Sequence, residues 1–419
     1  SSTGWRIDSI QVMGGFRCDT NPAPAVSVSP ASQTVQYSDK IAPVTISGVD
    51  SSLDLPFSLS TQWSFNGGAF APGLPVSLST ADDGCTQNSG LATCTWTLSG
   101  TALTAPGVYV LRATVADSPG ASAFQDITIT VVPEDARVTY TGLLFTSTAC
   151  PTCSAATLTL AATVQDISVT PDAAGDVWPG DIRHANVTFV DRDNANAVLC
   201  SANVGLVTPG DLQTGAATCN YAVNLGAADS ATLRIGIVVN NWYTRNSTVD
   251  DTQVTVSRPL STNFITGGGY LVLQTPSGLK AGDPGSKANF GFNVKYNSSG
   301  KNIQGNLNLI VRRTESDGVV HVYQIKSNAL LSLTVDPASG QASVTAKATI
   351  KDITDPNLPV TLDGNATLQL TMDDNGDPGS GDTLGVTIWN KSGGLWFASN
   401  WNGVKTVEQL LGGGNLIVK

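Results

Sequence analysis

Histidine and glutamate are almost missing from this 419-residue chain, and each shortage excludes something. Only His184 and His321 supply the side chain that ordinarily titrates between about pH 5 and 8, so imidazole acid–base chemistry has two places to stand. Of 33 acidic residues only Glu134, Glu315 and Glu408 are glutamate; the rest are aspartate, which bonds its own backbone in turns, so helix-forming stretches are scarce. Lys and Arg total 22, giving a net charge of -11 and no basic stripe to neutralise phosphates, which excludes nucleic acid as a partner. No run approaches the ~18 apolar residues of a transmembrane helix. The opening Ser1-Ser2-Thr3-Gly4-Trp5 has neither the basic nor the apolar part of a signal segment, so the expectation is a mature, processed or truncated chain.

What remains is a β-former's composition. Charged residues are 13% of the chain, about half the usual share, and small polar residues fill the surface, as in extracellular β-proteins. Six of the seven cysteines fall into close sequential pairs, Cys85 with Cys94, Cys150 with Cys153 and Cys200 with Cys219. Such pairs suit hairpin disulfides and an oxidising, secreted or cell-surface location. Cys18 is left over and is a candidate for an intermolecular bridge.

The length calls for several domains. Trp5 to Val12 reads as one strand, closed by Gly14-Gly15 and followed by the extended linker Asn21-Pro22-Ala23-Pro24. Short β-rich runs then recur between turn residues over 19–133 and again over 134–258, the pattern of two sandwiches. After Arg258-Pro259 the chain becomes Gly-rich and Asn-rich, and 259–419 reads as a separate C-terminal antiparallel β domain. The expected fold is therefore all-β: tandem immunoglobulin-like sandwiches followed by that domain.

Several segments resemble known families. Gly4-Trp5-Arg6-Ile7-Asp8, followed by Cys18, resembles the last strand of galactose-binding-like jelly rolls in large secreted bacterial proteins. Pro72-Gly73-Leu74-Pro75, Leu98-Ser99-Gly100-Thr101 and Pro106-Gly107-Val108-Tyr109 resemble bacterial putative-Ig domains, which implies a Greek-key immunoglobulin-like fold. Phe264-Ile265-Thr266-Gly267-Gly268-Gly269-Tyr270, the box Lys287-Ala288-Asn289-Phe290-Gly291-Phe292, and Gly412-Gly413-Gly414-Asn415-Leu416-Ile417-Val418 resemble the post-COAP family of C-terminal domains.

Candidate sites are few. Asp373, Asp374, Asn375, Gly376 and Asp377, with Asp382, place hard oxygens close together on a Gly-containing turn, a possible calcium site lacking the glutamate that closes an EF-hand loop. Asp172, Asp176 and Asp181, or Asp191, Asp193 and Asn194, are weaker candidates for the same ion. Trp389, Trp396 and Trp401 cluster near the end and offer either core or a glycan-stacking platform. Cys150-Pro151-Thr152-Cys153 has thioredoxin-like spacing, but its flanks are β-rich rather than helical, which favours a structural disulfide. Neither histidine is accompanied by a nucleophile motif, and no zinc spacing or phosphate loop occurs.

The expected function is a non-catalytic extracellular structural or adhesive module, not an enzyme. An isolated strand containing Trp5, Ile7, Ile10 and Val12 needs a sheet edge, so either an upstream domain completes it or self-association by strand addition builds a filament. The alternative is a carbohydrate-binding or spacer tail of a secreted hydrolase, with glycans or a surface ligand as partners.

Overall fold

The computed structural model describes residues 21–170 and 176–419. Cys18 and the strand-exchange residues Trp5, Ile7, Ile10 and Val12 lie outside them, as does Asp172. Among the described residues regular structure is strand, interrupted by four single-turn 3₁₀ helices, and the fold is all-β. The chain forms two compact units.

The first unit comprises the segment ending at Val35 together with Lys40–Ala102 and Gly107–Val131. It is a sandwich of a four-stranded sheet, ordered Ala25–Ser29, Val44–Ser51, Leu91–Gly100, Leu78–Asn88, and a five-stranded sheet centred on Gly107–Ala116. Alternation places Val44, Ile46 and Leu98 of one sheet, and Leu111, Val115 and Ile127 of the other, in the core. Gly48 marks the closeness of the two layers, because a Cβ there would lie 2.8 Å from Cγ1 of Val115. The edge strand Leu78–Asn88 is exposed along nearly its whole length and bulges between Asp82 and Gly84, a device that discourages further pairing.

The second unit holds Gln36–Asp39, Leu103–Pro106 and Val132–Lys419. Its first lobe pairs Ala155–Asp166 with Glu134–Tyr140 and Thr214–Asn224, and Ser230–Asn241 with Ala185–Asp191 and Thr252–Ser257. The short strand Tyr243–Asn246 joins these sets by pairing with both Glu134–Tyr140 and Ser230–Asn241. Leu158, Leu160, Val187, Phe189, Ile235 and Ile237 fill the core between them.

The second lobe is an antiparallel meander from Phe264–Val272 through Lys287–Tyr296, Ile303–Thr314, Val320–Asp336, Gln341–Asp352, Val360–Asp373 and Thr383–Trp389 to Leu395–Ala398. The last strand, Gly413–Val418, returns to pair with the first. One apolar cluster draws on strands from both ends of the meander, including Ile265, Ile388 and Leu416, so the sheet curls around a single core. Paired glycines permit this: a Cβ on Gly269 would lie 2.1 Å from the carbonyl oxygen of Gly413.

The two lobes of this unit share a second core. Strand Ala155–Asp166 is buried on both faces, its even-numbered residues toward its own lobe and Thr159, Ala161 and Thr163 toward the other. Ala161, Val207 and Ala216 of the first lobe cluster with Trp389, Leu395 and Ala398 of the second. Hydrogen bonds line the seam, with Thr163 Oγ1 donating to the Val404 carbonyl at 2.6 Å and Ser147 Oγ to the Leu333 carbonyl at 2.7 Å.

Candidate functional site

All three close cysteine pairs are disulfides. Cys85 and Cys94 face each other in register across an exposed hairpin, and the bond ties its outer strand down. Cys200 and Cys219 join Ala197–Asn203 to Thr214–Asn224, strands that do not pair with each other. Cys150 and Cys153 close a tight turn in which the Cys153 N–H donates to the Cys150 carbonyl at 3.0 Å. That turn leads into strand Ala155–Asp166 and not into a helix whose N-terminus would stabilise a thiolate.

The tryptophans do not form a glycan platform. Trp389 and Trp396 are 2% and 4% exposed, and Trp401 packs half-buried against the inter-lobe cluster. The strand Thr383–Trp389 has two apolar faces, Ile388 turned into the meander's core and Trp389 into the seam, so neither leaves a ring free to stack on a sugar.

The Asp-rich turn serves as an edge cap. Asp382 accepts from the N–H of Asn375 at 3.0 Å and of Leu416 at 2.7 Å, and Asp374 from the N–H of Gly376 at 3.1 Å and of Val418 at 2.9 Å. Asp377 accepts from the Asn415 amide at 2.8 Å, and Asn375 donates to the Gly381 carbonyl at 2.9 Å. Asp382 and Asp374 thus divide their oxygens between the turn and the closing strand's backbone, and Asp377 takes the Asn415 side chain. Among the described residues the acidic group that converges is a different one, and neither Asp373 nor its neighbours belong to it. Asp191, Asp193 and Asn194 form an ordinary turn, in which Asp191 accepts from the Asp193 N–H. Asp181 is held by Arg183, whose hydrogen bonds keep its carboxyl below the usual range.

Both histidines are held by neighbours. The His184 ring lies 3.8 Å from that of Trp242, with Nδ1 3.1 Å from the Tyr37 hydroxyl. His321 Nδ1 lies 2.6 Å from Asp352 and Nε2 3.4 Å from Asp317, and the hydrogen bond to Asp352 raises its pKa.

The converging group is Asp39, Glu134 and Asp176, all in the second unit, each offering a carboxylate oxygen within 4.8 Å of the others. It sits beside an ordered aromatic bed. The Tyr37 ring contacts Trp242 and Tyr243 edge-on, and the Tyr37 N–H donates to the Val132 carbonyl at 2.9 Å. Asp166 accepts from Tyr243 Oη at 2.8 Å and from the Gly180 N–H at 2.9 Å. Gly180 is required here, since a Cβ would lie 2.5 Å from the Tyr37 ring. Glu134 is fully buried, and burial, with the charges of Asp176, Asp166 and Asp39 adding, pushes its carboxyl up to about 9. Burial, with the charges of Asp176 and Asp166, raises Asp39. Asp176 belonged to a sequence candidate, whereas Asp39 and Glu134 did not. The available signal was a glutamate, rare in this chain, standing where Pro133 marks a boundary.

No protein-family model and no curated protein matches the chain. Among solved structures, the adhesin InvE of Yersinia pseudotuberculosis is similar at 16% identity and a TM-score of 0.26, over 57% of this chain. The chain spans 60% of that structure's length. The Ig1-2 module of the Drosophila receptor protein tyrosine phosphatase DLAR matches 56% of this chain and 98% of its own, at 12% identity and a TM-score of 0.17. Dpr2 Ig1-Ig2, solved in complex with DIP-Theta Ig1-Ig3, gives the same figures of 12% identity, 56% and 98% coverage and 0.17.

Proposed function

We propose that the chain is a non-catalytic extracellular module, a stiff structural or adhesive segment of a secreted or cell-surface protein. The observation that supports this most is the core around Trp389, which replaces a flexible link between two lobes with a packed apolar seam. Domains in one chain move freely unless such an interface is large and apolar. Three disulfides support an oxidising compartment, and no helix among the described residues is long and apolar enough to cross a membrane.

Stretching the full chain from its two ends tests the stiffness. Val132–Lys419 is expected to give way in one event, and separate release of its two lobes would remove the support. Beads carrying the full chain, presented to glycan and matrix-protein arrays, test the adhesive part. Turnover of glycoside, ester or peptide substrates by the same material would make the protein an enzyme instead.

Two finer readings attach to the first residues: Trp5 to Val12, read as an isolated strand, supports filament growth by strand addition, and the resemblance of Gly4 to Asp8 to a terminal jelly-roll strand supports a tail on a secreted hydrolase. Light scattering separates them. A mass that rises with concentration, and falls to that of one chain when residues 1–18 are deleted, supports the filament.

A further inference from the structure

Three segments far apart in sequence bring the acidic group together: the turn after Ser32–Gln36 carries Asp39, the first residue of Glu134–Tyr140 is Glu134, and the loop before Gly180 carries Asp176. Asp39 and Asp176 alone would be an unremarked pair of half-buried acids. Glu134 is different, because it has no solvent exposure and its carboxylate faces the other two.

Its hydrogen bonds do not account for it. Oε1 accepts from the N–H of Asp135 at 2.9 Å. Oε2 has only the Ser38 hydroxyl nearby, at 3.5 Å, and that hydroxyl already donates to the Trp178 carbonyl at 2.8 Å. A serine has one proton to give and this one lies closer to Trp178, so the contact to Glu134 Oε2 is long and shared. A buried carboxylate facing two more carboxylates is costly unless something positive stands between them.

We propose that Asp39, Glu134 and Asp176 bind a divalent, oxygen-seeking cation, calcium in an extracellular setting. Oxygens sharing one calcium at about 2.4 Å can be no more than about 4.8 Å apart, which is the spread this group satisfies. The donors are all carboxylate oxygens, with no imidazole or thiolate, which suits a hard cation over zinc. The ion would supply the counter-charge that Glu134 lacks and would hold the segment Gln36–Asp39 to the second unit, to which it belongs. The inference stands apart from the proposed function, because an enzyme or a spacer would bind the ion equally well.

The test uses the full chain with terbium and calcium as probes, comparing wild type with Glu134→Gln and with Asp374→Asn. Terbium emission excited through tryptophan is expected in wild type, displaced by calcium, retained in Asp374→Asn and weakened at least tenfold in Glu134→Gln. In chelator, Glu134→Gln is expected to melt no lower than wild type, because the amide is neutral and nearly the same shape as the acid; in calcium only wild type and Asp374→Asn gain, with a melting temperature that climbs with concentration. A calcium response that survives in Glu134→Gln would place the ion elsewhere and overturn the proposal. So would identical wild-type melting in calcium and chelator, which would mean that the three acids share a proton.

Discussion

Oδ2 of Asp382 accepts a hydrogen bond from the N–H of Leu416 at 2.7 Å, and both residues are fully buried. This contact, with its counterpart from Val418 to Asp374, gives the unpaired side of the last strand its acceptors. Asp382→Ala would leave the N–H of Leu416 without a partner in the interior and release that of Asn375 at an exposed turn. At about 1.5 to 3 kcal/mol for the buried charged hydrogen bond, and less for the exposed one, a loss of about 2 to 4 kcal/mol is expected. Asn in its place keeps one acceptor and should recover part of it. Denaturant midpoints of the full-length variants measure both, and a loss for Ala under about 1 kcal/mol would mean the cap is dispensable.

Trp389→Ala empties the middle of the inter-lobe core. Truncation of a buried tryptophan costs about 3 to 5 kcal/mol, and here the damage should appear on both sides of the seam. Amide hydrogen exchange is expected to quicken in Ala155–Asp166 as well as in Leu395–Ala398, one strand from each lobe at the seam. Acceleration confined to Leu395–Ala398 would show that Trp389 serves its own lobe alone.

The disulfides should rank by the loops they close. Cys200 and Cys219 are 19 residues apart, and their bond restrains the unfolded chain by about 3 kcal/mol. Cys150 and Cys153 are 3 apart and contribute about 2 kcal/mol. Paired Cys→Ser variants, compared by thermal unfolding, should lose stability in that order.

His321 provides a pH prediction. Its pKa is raised, chiefly by the hydrogen bond to Asp352, with Asp317 adding. A raised folded-state value means that the pair's stabilisation is complete below the unfolded histidine's pKa of about 6.5 and fades as pH rises through the folded value. The effect on global stability is small because the site is open to solvent. NMR titration should place His321 above the ordinary histidine range, and Asp352→Asn should bring it down. An unmoved midpoint in that variant would discard the pairing.

Much of this architecture was legible from residue order. Alternation in runs such as Leu111 to Val115 reports a strand with one wet face, and Asp-rich turns with scarce glutamate report the lack of helix. Sequential proximity sufficed for the disulfides, although only Cys85–Cys94 crosses a hairpin, while Cys150–Cys153 closes a turn and Cys200–Cys219 joins strands that do not pair. Strand Ala155–Asp166 shows where such reading stops. Its Thr159 and Thr163 look like a solvent face, yet a lobe more than 200 residues downstream covers them, as the bond from Thr163 to Val404 records. Only Ala161 between them hinted at close packing. The tryptophans misled in the opposite sense, since a cluster of rings reads alike whether it faces sugar or core. Asp39 and Glu134 were invisible as a pair because 95 positions separate them, and nothing local announces that the chain will bring them together.

The seam at Trp389 also bears on ancestry. β-Sandwich modules are commonly duplicated, lost and shuffled as separate pieces, which requires each to keep its own surface wet. Here either lobe transplanted alone would expose an apolar patch shaped to the other, Trp389 and Leu395 on one side, Ala161 and Val207 on the other. Recombination between the two should therefore be selected against, and Val132–Lys419 should descend through lineages as a single heritable block.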